Sequence, residues 1–313
     1  MRAALRNIYE TLCDSIRYMR STPIGGAKQH GIIHLQGDII RMYHIIEKGL
    51  AMPEFRPRFG EDIIAELIKR VDTWKSLTKD FENIHFCAAC EALKNYYWRH
   101  TQLNIDVSDL LPSEYLKLPQ DKSVSGVRSV VGVDDTWFEG FKKVVTSRSS
   151  VRDFDTSRPP ERELIRSAVD LSIRTPSVCN RQTWRVHFYE GEMSQSILKL
   201  QNGNRGFGHT IPTVLIVTCD MRYFIGSIER NQPWVDGGMF SMSLLLALHS
   251  HGLGAVSLNW AVLNSDDKKM RKTANIPDFE RIIMLVGCGY PRIPSLTPVS
   301  VRDSVDSFIN WHD

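Results

Sequence analysis

The sequence predicts an α+β protein in which an all-helical N-terminal region precedes a region of mixed helices and strands. Up to about residue 125, apolar residues recur every three or four positions, as on the buried face of a helix. Beyond that point, short apolar runs typical of strands are interspersed with helical patterns. The length of 313 residues suits about two domains. We therefore expect a helical region at 1–125 and a second domain at 126–313.

The composition is ordinary for a soluble globular protein. The 39 basic and 36 acidic residues give a net charge of +3, so no nucleic-acid or membrane partner is expected. The longest apolar run, residues 239–248, is far too short to span a bilayer and suits a buried helix. Six scattered cysteines and a charged N-terminal stretch favour a reducing, cytoplasmic location.

Two helices of the N-terminal region are each predicted to bury one apolar face. The first face consists of Leu5, Ile8, Leu12, Ile16 and Met19, and the second of Ile63, Ile64, Leu67, Ile68, Val71 and Trp74.

Proline and glycine mark the breaks between these helices. Pro23, Gly25 and Gly26 follow the first helix, residues 52–60 form a loop, and residues 111–132 are predicted to be a linker to the second domain.

Residues 44–60 allow two interpretations. Charged residues there can contact a ligand at the edge of a site, and these are Glu47, Lys48, Arg56 and Arg58. Alternatively, the charges face water while Phe55 and Phe59 are buried, and this second interpretation is favoured.

Cys87 and Cys90 form a C-x-x-C pair inside a helix predicted at residues 80–99. This spacing suits a redox pair or half of a metal site. A second pair of ligands is missing, and the small residues between the cysteines suit close packing, so buried structural cysteines are favoured.

The segment SRSSVRDF, residues 147–154, follows a short amphipathic helix at 137–145 and has the composition of an anion site. It offers two arginines four positions apart and three serine hydroxyls, placed where a further helix is expected to begin. Guanidinium groups, hydroxyls and free backbone N–H groups together suit a phosphate.

The segment TPSVCNRQTW, residues 175–184, follows a helix predicted at 162–173 and leads into an apolar strand at 184–189. Asn180, Arg181 and Gln182 place amide and guanidinium groups in one loop. Such a loop can hydrogen-bond the edge of a flat heteroaromatic ring.

Together the two segments resemble the FMN-dependent nitroreductase family, whose patterns are R-x-S-x-R/K-x-F and P-S-x-x-N-x-Q-P-W. The resemblance continues through QNGNRGFG, a Asp-Gly-Gly that opens an apolar helix at 236–251, HGLGAVSLNW and GCGYP. It extends from about residue 135 to the C-terminus, and five blocks in order are far more specific than any one of them.

The resemblance implies a nitroreductase-like fold with a central mixed β-sheet flanked by helices, in a domain-exchanged homodimer that shares the FMN sites. The helix at 236–251 would lie at the subunit interface. Strands are expected at 211–219, 255–258 and 281–288, and a helix with a polar cap at 264–274. The N-terminal helical region has no counterpart in a minimal nitroreductase.

The resemblance also implies a set of cofactor-binding residues. Arg148 would bind the phosphate, Arg152 would lie near the N1–C2 edge of the flavin, and a basic residue after GCGYP would close on the phosphate, Arg302 first and Arg292 in reserve. The full set is Arg148, Ser149, Ser150, Arg152, Pro176, Ser177, Asn180, Gln182, Asn204, Asn259, Trp260 and Arg302.

Three positions depart from the family pattern. Thr183 replaces a common proline, Phe207 stands where some relatives have lysine, and Asn259 stands where some have glutamate. Backbone contact is therefore the safer expectation at Asn259 and Trp260. Trp184 is expected in the core, whereas Tyr223, Phe224 and Trp234 are candidates for either substrate stacking or dimer packing.

The implied activity is reduction of nitroaromatics, quinones or another small acceptor, with NADH or NADPH as transient reductant in a ping-pong cycle. No catalytic side-chain acid or base and no metal site are expected, and no G-x-G-x-x-G follows a strand. Two alternatives remain open. One is a specialised flavin enzyme, such as a dehalogenase, dehydrogenase or flavin-modifying enzyme. The other is a non-catalytic flavin-binding protein that docks through residues 1–125.

Overall fold

The computed structural model describes residues 2–23, 31–117, 125–132 and 134–312. Gly25, Gly26 and residues 118–124 of the predicted linker lie outside the described residues.

The N-terminal region is helical, as predicted. It comprises α1 (Arg2–Ser21), α2 (Gly31–Leu50), α3 (Glu61–Thr78) and α4 (Ile84–Gln102). The last three helices enclose one hydrophobic core, to which each contributes fully buried side chains such as Ile40, Leu67 and Leu93. The predicted face of α3 is confirmed, because Ile64, Leu67, Val71 and Trp74 are all buried. The boundary at 125/126 stays a prediction.

The predicted buried face of α1 is wrong, because the helix turns its polar face inward. Leu5 and Ile8 are 61% and 64% exposed, and Leu12 and Met19 are also exposed. The opposite face carries charged groups that pair with the C-terminal region: Arg17 with Asp267 at 2.6 Å, Asp14 with Arg281 at 2.7 Å, and Glu10 with the N–H of Asn264 at 2.8 Å. These partly buried pairs outweigh apolar periodicity in orienting the helix.

Residues 44–60 have the packed arrangement that the sequence favoured. Phe59 is buried against Tyr96, with ring centroids 5.1 Å apart, and Arg58 forms ion pairs with Glu61 and Asp109. Cys90 is likewise buried, and burial raises the pKa of its thiol to about 12. A protonated, enclosed thiol is a poor nucleophile and a poor metal ligand.

The C-terminal region is built on a four-stranded antiparallel sheet. Its strands are β1 (Trp184–Glu190), β2 (Thr213–Asp220), β3 (Gly254–Asn259) and β4 (Glu280–Gly289), arranged in the order β1-β2-β4-β3. The sheet was predicted to be mixed, but all of its strand pairs are antiparallel. An isolated parallel bridge joins Ser150 to Ala255 at the edge of β3.

Four helices cover this sheet: α6 (Arg162–Ser172), α7 (Gly191–Leu200), α8 (Gln232–Ser250) and α9 (Asn264–Ala274). A further helix, α5 (Asp135–Ser147), is largely exposed and contacts α8. Successive side chains of β2 point to opposite faces of the sheet, as in any β-strand. Leu215 and Val217 join the core under α6 and α8, whereas Val214 and Ile216 join the core under α7 and α9. The α+β fold is thus confirmed, with one helical layer on each face of the sheet.

Trp184 lies in the core, as predicted. Its ring stacks on Phe240 of α8 with centroids 4.9 Å apart. The apolar helix predicted at 236–251 begins earlier, at Gln232, because Pro233 suits a first helical turn.

Two local predictions about helix starts are wrong. SRSSVRDF does not begin a helix: α5 ends at Ser147, Arg148 follows it with extended backbone, and the chain then runs along β3. The polar cap predicted for α9 is also wrong, because Leu263 occupies the cap position. The first N–H of the helix donates instead to the Glu10 carboxylate.

Among the described residues, we find no helix of the length and hydrophobicity that a bilayer span requires.

Candidate functional site

Arg148 and Ser149 form an open cationic site where α5 ends. Both side chains are half-buried, and across residues 2–23, 31–117, 125–132 and 134–312 neither makes a hydrogen bond or an ion pair. A guanidinium group that is partly desolvated and lacks a carboxylate partner favours an external anion.

Strand β3 fixes the backbone of this segment. The N–H of Val151 donates to the carbonyl of Ala255 at 3.1 Å, next to the bridge at Ser150. Gly254 permits this approach, because a Cβ atom there would lie 2.8 Å from the Val151 side chain. The side chain of Arg152 is exposed and donates to the carbonyl of Ser150 at 3.1 Å.

His249 lies beside this segment and was not predicted. Its Nε2 atom is 2.7 Å from the Ser147 hydroxyl. Burial lowers the pKa of His249, and the positive charge of Arg148 lowers it further. The imidazole is therefore held in its neutral form at neutral pH, so the positive charge at this end of α8 is supplied by Arg148.

The C-terminal arm passes the same segment. Thr297 donates to the carbonyl of Ser150 at 3.4 Å, and Arg292 contacts the carboxylate of Asp153 at 3.2 Å. Arg302 is exposed and hydrogen-bonds to the carbonyl of Ser300 in its own segment. Of the two basic residues predicted to close on the phosphate, Arg292 contacts residues 147–154. Its guanidinium is already paired with Asp153.

Pro176 to Gln182 form the second predicted segment, which we call the ring loop. Cys179, Asn180 and Gln182 all have positive φ, at 49°, 54° and 49°. This left-handed conformation is uncommon for non-glycine residues and persists where surrounding contacts enforce it. Inside the loop, the hydroxyl of Ser177 accepts the N–H of Gln182 at 3.0 Å, and the Gln182 amide donates to the carbonyl of Asn180 at 3.1 Å.

The Arg181 side chain supports the ring loop from the protein interior and does not face a ligand. Its side chain is fully buried and forms a two-pronged ion pair with Glu229. The same guanidinium donates to the carbonyl of Tyr223 at 2.8 Å. Sequence alone did not distinguish this arginine from the amides beside it.

Asp236 of α8 holds the start of the loop. The N–H of Val178 donates to both carboxylate oxygens at 3.3 Å, and Gln232 donates to one of them at 2.8 Å. Asp236 is buried, and burial raises its pKa despite these donors. The hydrogen bonds fix the loop to the N-terminal end of α8.

The remaining predicted site residues divide between core and surface. The Asn204 amide donates to Leu198 and Gln201 carbonyls at 2.8 Å and so closes its own turn. Trp260 is buried, and its indole N–H donates to Asp267 at 2.9 Å. Asn259 is exposed, but its backbone pairs with β4 and its carbonyl accepts the Gln201 amide at 3.0 Å.

The candidate aromatic residues separate in the same way. Tyr223 and Phe224 are buried and belong to packing clusters, whereas Trp234 is 44% exposed. Of these three, only Trp234 presents a ring to solvent.

The two predicted segments lie at opposite ends of α8. Ser147, at the start of the first, contacts His249, and Val178 of the ring loop contacts Asp236. These contacts are 13 positions apart, which corresponds to about 20 Å along a helix. Within the described residues, no hydrogen bond or ion pair links the segments directly.

Comparison with known proteins identifies the C-terminal region. Residues 145–201 and 189–290 match the model of the nitroreductase family. The match extends over residues 145–290, just under half of the chain, and shows that this part is similar to the nitroreductase family. We call residues 145–290 the nitroreductase region, and the resemblance predicted from its motifs is confirmed.

Two sequence relatives align with the nitroreductase region. A Methanothermobacter thermautotrophicus protein assigned as an NADH dehydrogenase/NAD(P)H nitroreductase is 29% identical over 154 residues, which cover 48% of this chain and 76% of the relative. An NADH dehydrogenase of Thermus thermophilus is 23% identical over 181 residues, covering 48% and 86%.

A solved structure shows the same fold. The nitroreductase-like protein of Streptococcus mutans superposes with a TM-score of 0.50 at 18% identity, over 56% of this chain and 100% of its own. The helices α1 to α4 precede the residues that match the family model.

Sequence reasoning found the two segments but missed the residues that hold them. His249, Asp236 and Glu229 all bind backbone or side chains of the segments. A histidine and an aspartate at the two ends of an otherwise apolar helix were the available signal, because polar groups in such a helix need partners.

Proposed function

We propose that this chain is an FMN-dependent oxidoreductase that takes reducing equivalents from NADH or NADPH and passes them to a small acceptor. Nitroaromatics and quinones are the acceptor classes that the family resemblance favours. The observation that carries the proposal is the half-buried guanidinium of Arg148, which has no partner among the described residues and lies beside the Ser149 hydroxyl, inside the region that matches the family model.

The donor set at this segment fits the phosphate of FMN. Arg148 offers up to five N–H donors, Ser149 offers a hydroxyl, and Arg152 lies four positions from Arg148 on exposed chain. Among the described residues neither Arg148 nor Arg152 forms an ion pair with a carboxylate, and Asp153 is paired with Arg292. Arg148, Ser149 and Ser150 would hold the phosphate, and Arg152 would lie toward the N1–C2 edge of the flavin.

The ring loop fits the other half of the cofactor. Its conformation leaves Asn180 and Gln182 half-buried with amide groups near the surface, and the exposed Pro176 supplies an apolar edge. Backbone N–H and amide groups of this kind match the alternating donors and acceptors of a flavin ring. Pro176, Ser177, Asn180 and Gln182 would hold the ring, with Asn259 and the backbone of Trp260 at its far edge.

The distance between the two segments supports a homodimer. Segments about 20 Å apart along α8 suit one cofactor better when a second chain supplies one of them. The outer face of α8 exposes Val235, Met239 and Met242, an apolar surface suited to a two-fold contact. We propose that α8 packs against its counterpart and that Asn204 and Arg302 act from the periphery of each site.

When bound, FMN supplies reversible two-electron chemistry at its N5 atom. The protein would bind and orient it, and the positive charge of Arg152, which the resemblance places near the N1–C2 edge of the ring, would favour the anionic reduced form. No acid or base is assigned among the side chains. His249 holds no positive charge at neutral pH, because burial and Arg148 lower its pKa.

We also propose a division at residue 125/126 into a helical region and a flavin domain, and a cytoplasmic location. Cys90, Cys219 and Cys288 are buried free thiols, and burial raises the pKa of Cys219 and Cys288 to about 12. Reduced, unreactive thiols of this kind suit a reducing compartment.

Titration of the apoprotein with FMN, followed by quenching of flavin fluorescence, tests the proposal. Wild-type protein should bind FMN and then oxidise NADH or NADPH in the presence of a quinone. Arg148→Ala should weaken FMN binding by roughly 30-fold, because a charge-assisted contact to phosphate is lost. Arg162→Ala, which removes an exposed arginine paired with Glu190, should bind normally. Wild-type protein that binds no flavin, or Arg148→Ala with full affinity, would refute the assignment.

A further inference from the structure

The ring loop is held by elements that lie outside the nitroreductase region. Three of its residues, Cys179, Asn180 and Gln182, have backbone conformations that disfavour non-glycine residues. Its internal hydrogen bonds, from Gln182 to Ser177 and Asn180, span at most five positions. A loop of this kind needs external contacts to keep one conformation.

Helix α1 supplies the first external contact, through Tyr18. Tyr18 is 4% exposed and packs with Met221 and Phe224, and Val178 of the ring loop packs on the same cluster. The Tyr18 hydroxyl donates to the carbonyl of Gly226 at 2.7 Å. Tyr18 therefore lies beneath the start of the ring loop and fixes the neighbouring 221–226 turn.

Helix α2 supplies the second external contact, through Tyr223. The Tyr223 ring is buried in the core of the helical region, and Gln36 donates to its hydroxyl at 3.3 Å. Gly37 of α2 packs directly on Tyr223, since a Cβ atom there would lie in ordinary van der Waals contact with it, at 3.4 Å. Nδ1 of His34 also pairs with the Arg222 carbonyl at 2.5 Å.

Arg181 connects these contacts to the ring loop. Its guanidinium donates to the Tyr223 carbonyl at 2.8 Å and pairs with Glu229, while its backbone lies between Asn180 and Gln182. The path from α2 to the ring-facing amides is thus continuous: Tyr223 packs in the helical core, Arg181 binds Tyr223, and Gln182 follows Arg181.

We propose that the N-terminal helical region positions the ring loop, with Tyr18 and Arg181 as positioning residues. This inference rests on the proposed flavin site and deepens it. The ring affinity of this chain depends on α1 and α2, which precede the residues that match the family model. The phosphate segment, which contacts α8, β3 and the C-terminal arm, does not depend on them.

Comparing FMN with riboflavin separates binding of the ring from binding of the phosphate, because riboflavin lacks the phosphate. Tyr18→Leu should weaken the binding of both ligands to the full-length apoprotein by the same factor, about tenfold, and Tyr18→Phe by about threefold. Arg148→Ala should weaken FMN binding and leave riboflavin binding unchanged. Equal losses of both ligands in the Tyr18 variants would place the effect at the ring, and loss of FMN alone in Arg148→Ala would place that effect at the phosphate. General destabilisation would also weaken both ligands equally, so a control for stability is needed.

Tyr189→Phe is the matched control. It removes a hydroxyl that donates to the carbonyl of Ala274 at 2.6 Å, a bond of the same kind between β1 and α9. Tyr189→Phe should lower the melting temperature about as much as Tyr18→Phe does. It should leave the affinities for FMN and for riboflavin unchanged. Equal loss of flavin affinity in both variants would overturn the inference.

The outcomes distinguish this inference from the proposed function. If wild-type protein binds neither flavin, the proposed function fails. If wild-type protein binds both and the two Tyr18 variants bind both with unchanged affinity, or lose FMN affinity alone, only the positioning role fails. If Tyr18→Leu does not fold, the threefold loss expected for Tyr18→Phe decides the question.

Discussion

The two segments of the proposed site use arginine in opposite ways. Arg148 lies half-buried at the end of α5 with no protein partner among the described residues, whereas Arg181 is fully buried and bound to Glu229 and Tyr223. An unpaired guanidinium retains its capacity to bind an anion, and a paired one stabilises the protein. An arginine in a polar loop can therefore be assigned to a ligand only when its partners within the protein are known.

The backbone differs between the segments as well. Residues 148–152 are extended along β3 and need no unusual conformation, while the ring loop contains three non-glycine residues with positive φ. The first segment is held by the edge of β3, by His249 of α8 and by the C-terminal arm. The second requires Asp236, Glu229 and Tyr223 to hold it. Substitutions should therefore affect stability mainly in the ring loop.

Arg181→Ala should give the largest loss of stability. It removes the guanidinium from the Glu229 carboxylate, which keeps the Ile225 N–H, and from the Tyr223 carbonyl, and breaking a buried ion pair in this way typically costs about 3–5 kcal/mol. The free energy of unfolding, measured by urea denaturation of the apoprotein, checks this. Arg148→Ala should change it by less than about 0.5 kcal/mol, since that side chain has no partner to lose. Similar losses in both variants would remove the contrast between the segments.

Cys179→Val should give an intermediate effect. Cys179 has φ of 49°, and a β-branched side chain in the left-handed region adds strain, so we expect a loss of about 1–2 kcal/mol. Cys179→Gly should be neutral or slightly stabilising, because glycine adopts this conformation freely. The same two substitutions at Ser149, on unstrained backbone, supply the control. A stabilising valine at position 179 would contradict the conformation of the ring loop.

Much of the fold was predictable because local patterns and tertiary packing agree there. The apolar run that forms β2 is buried at every position, and α3 buries the face its periodicity indicated. Helix α1 failed because its charged residues pair with Asp267 and Arg281, more than 240 positions away in sequence. The periodicity of α1 shows which of its faces is apolar, but the ion pairs with distant residues determine which face points inward.

The site was predictable to the level of segments, not of side chains. The motifs located residues 148–152 and the ring loop, but they did not indicate which side chains are already bonded within the protein. The polar side-chain atoms of Trp260 and Asn204 bind Asp267 and the end of α7, and contact of these two residues with a ligand stays a prediction. The assumed helix start at SRSSVRDF failed for a related reason, since the pairing of Ser150 with Ala255 on β3 is a long-range contact. Hydrogen-bond partners of this kind are set by topology.

Asp236→Asn should give the smallest effect, visible as a change in pH dependence. Burial raises the pKa of Asp236 in the folded protein above its unfolded value of about 4, so the folded state binds the proton more tightly. The stability that Asp236 contributes is therefore present below pH 4 and is lost as pH rises through the raised pKa. Asparagine can still accept the Val178 N–H and does not titrate. The difference in unfolding free energy between wild type and Asp236→Asn, measured in urea from pH 4 to 8, should shift in favour of the variant as pH rises. Taking the difference cancels the opposite contributions of Glu280 and Asp267, whose pKa values are lowered. A difference that does not vary with pH would mean that Asp236 holds the ring loop without a cost from its buried charge.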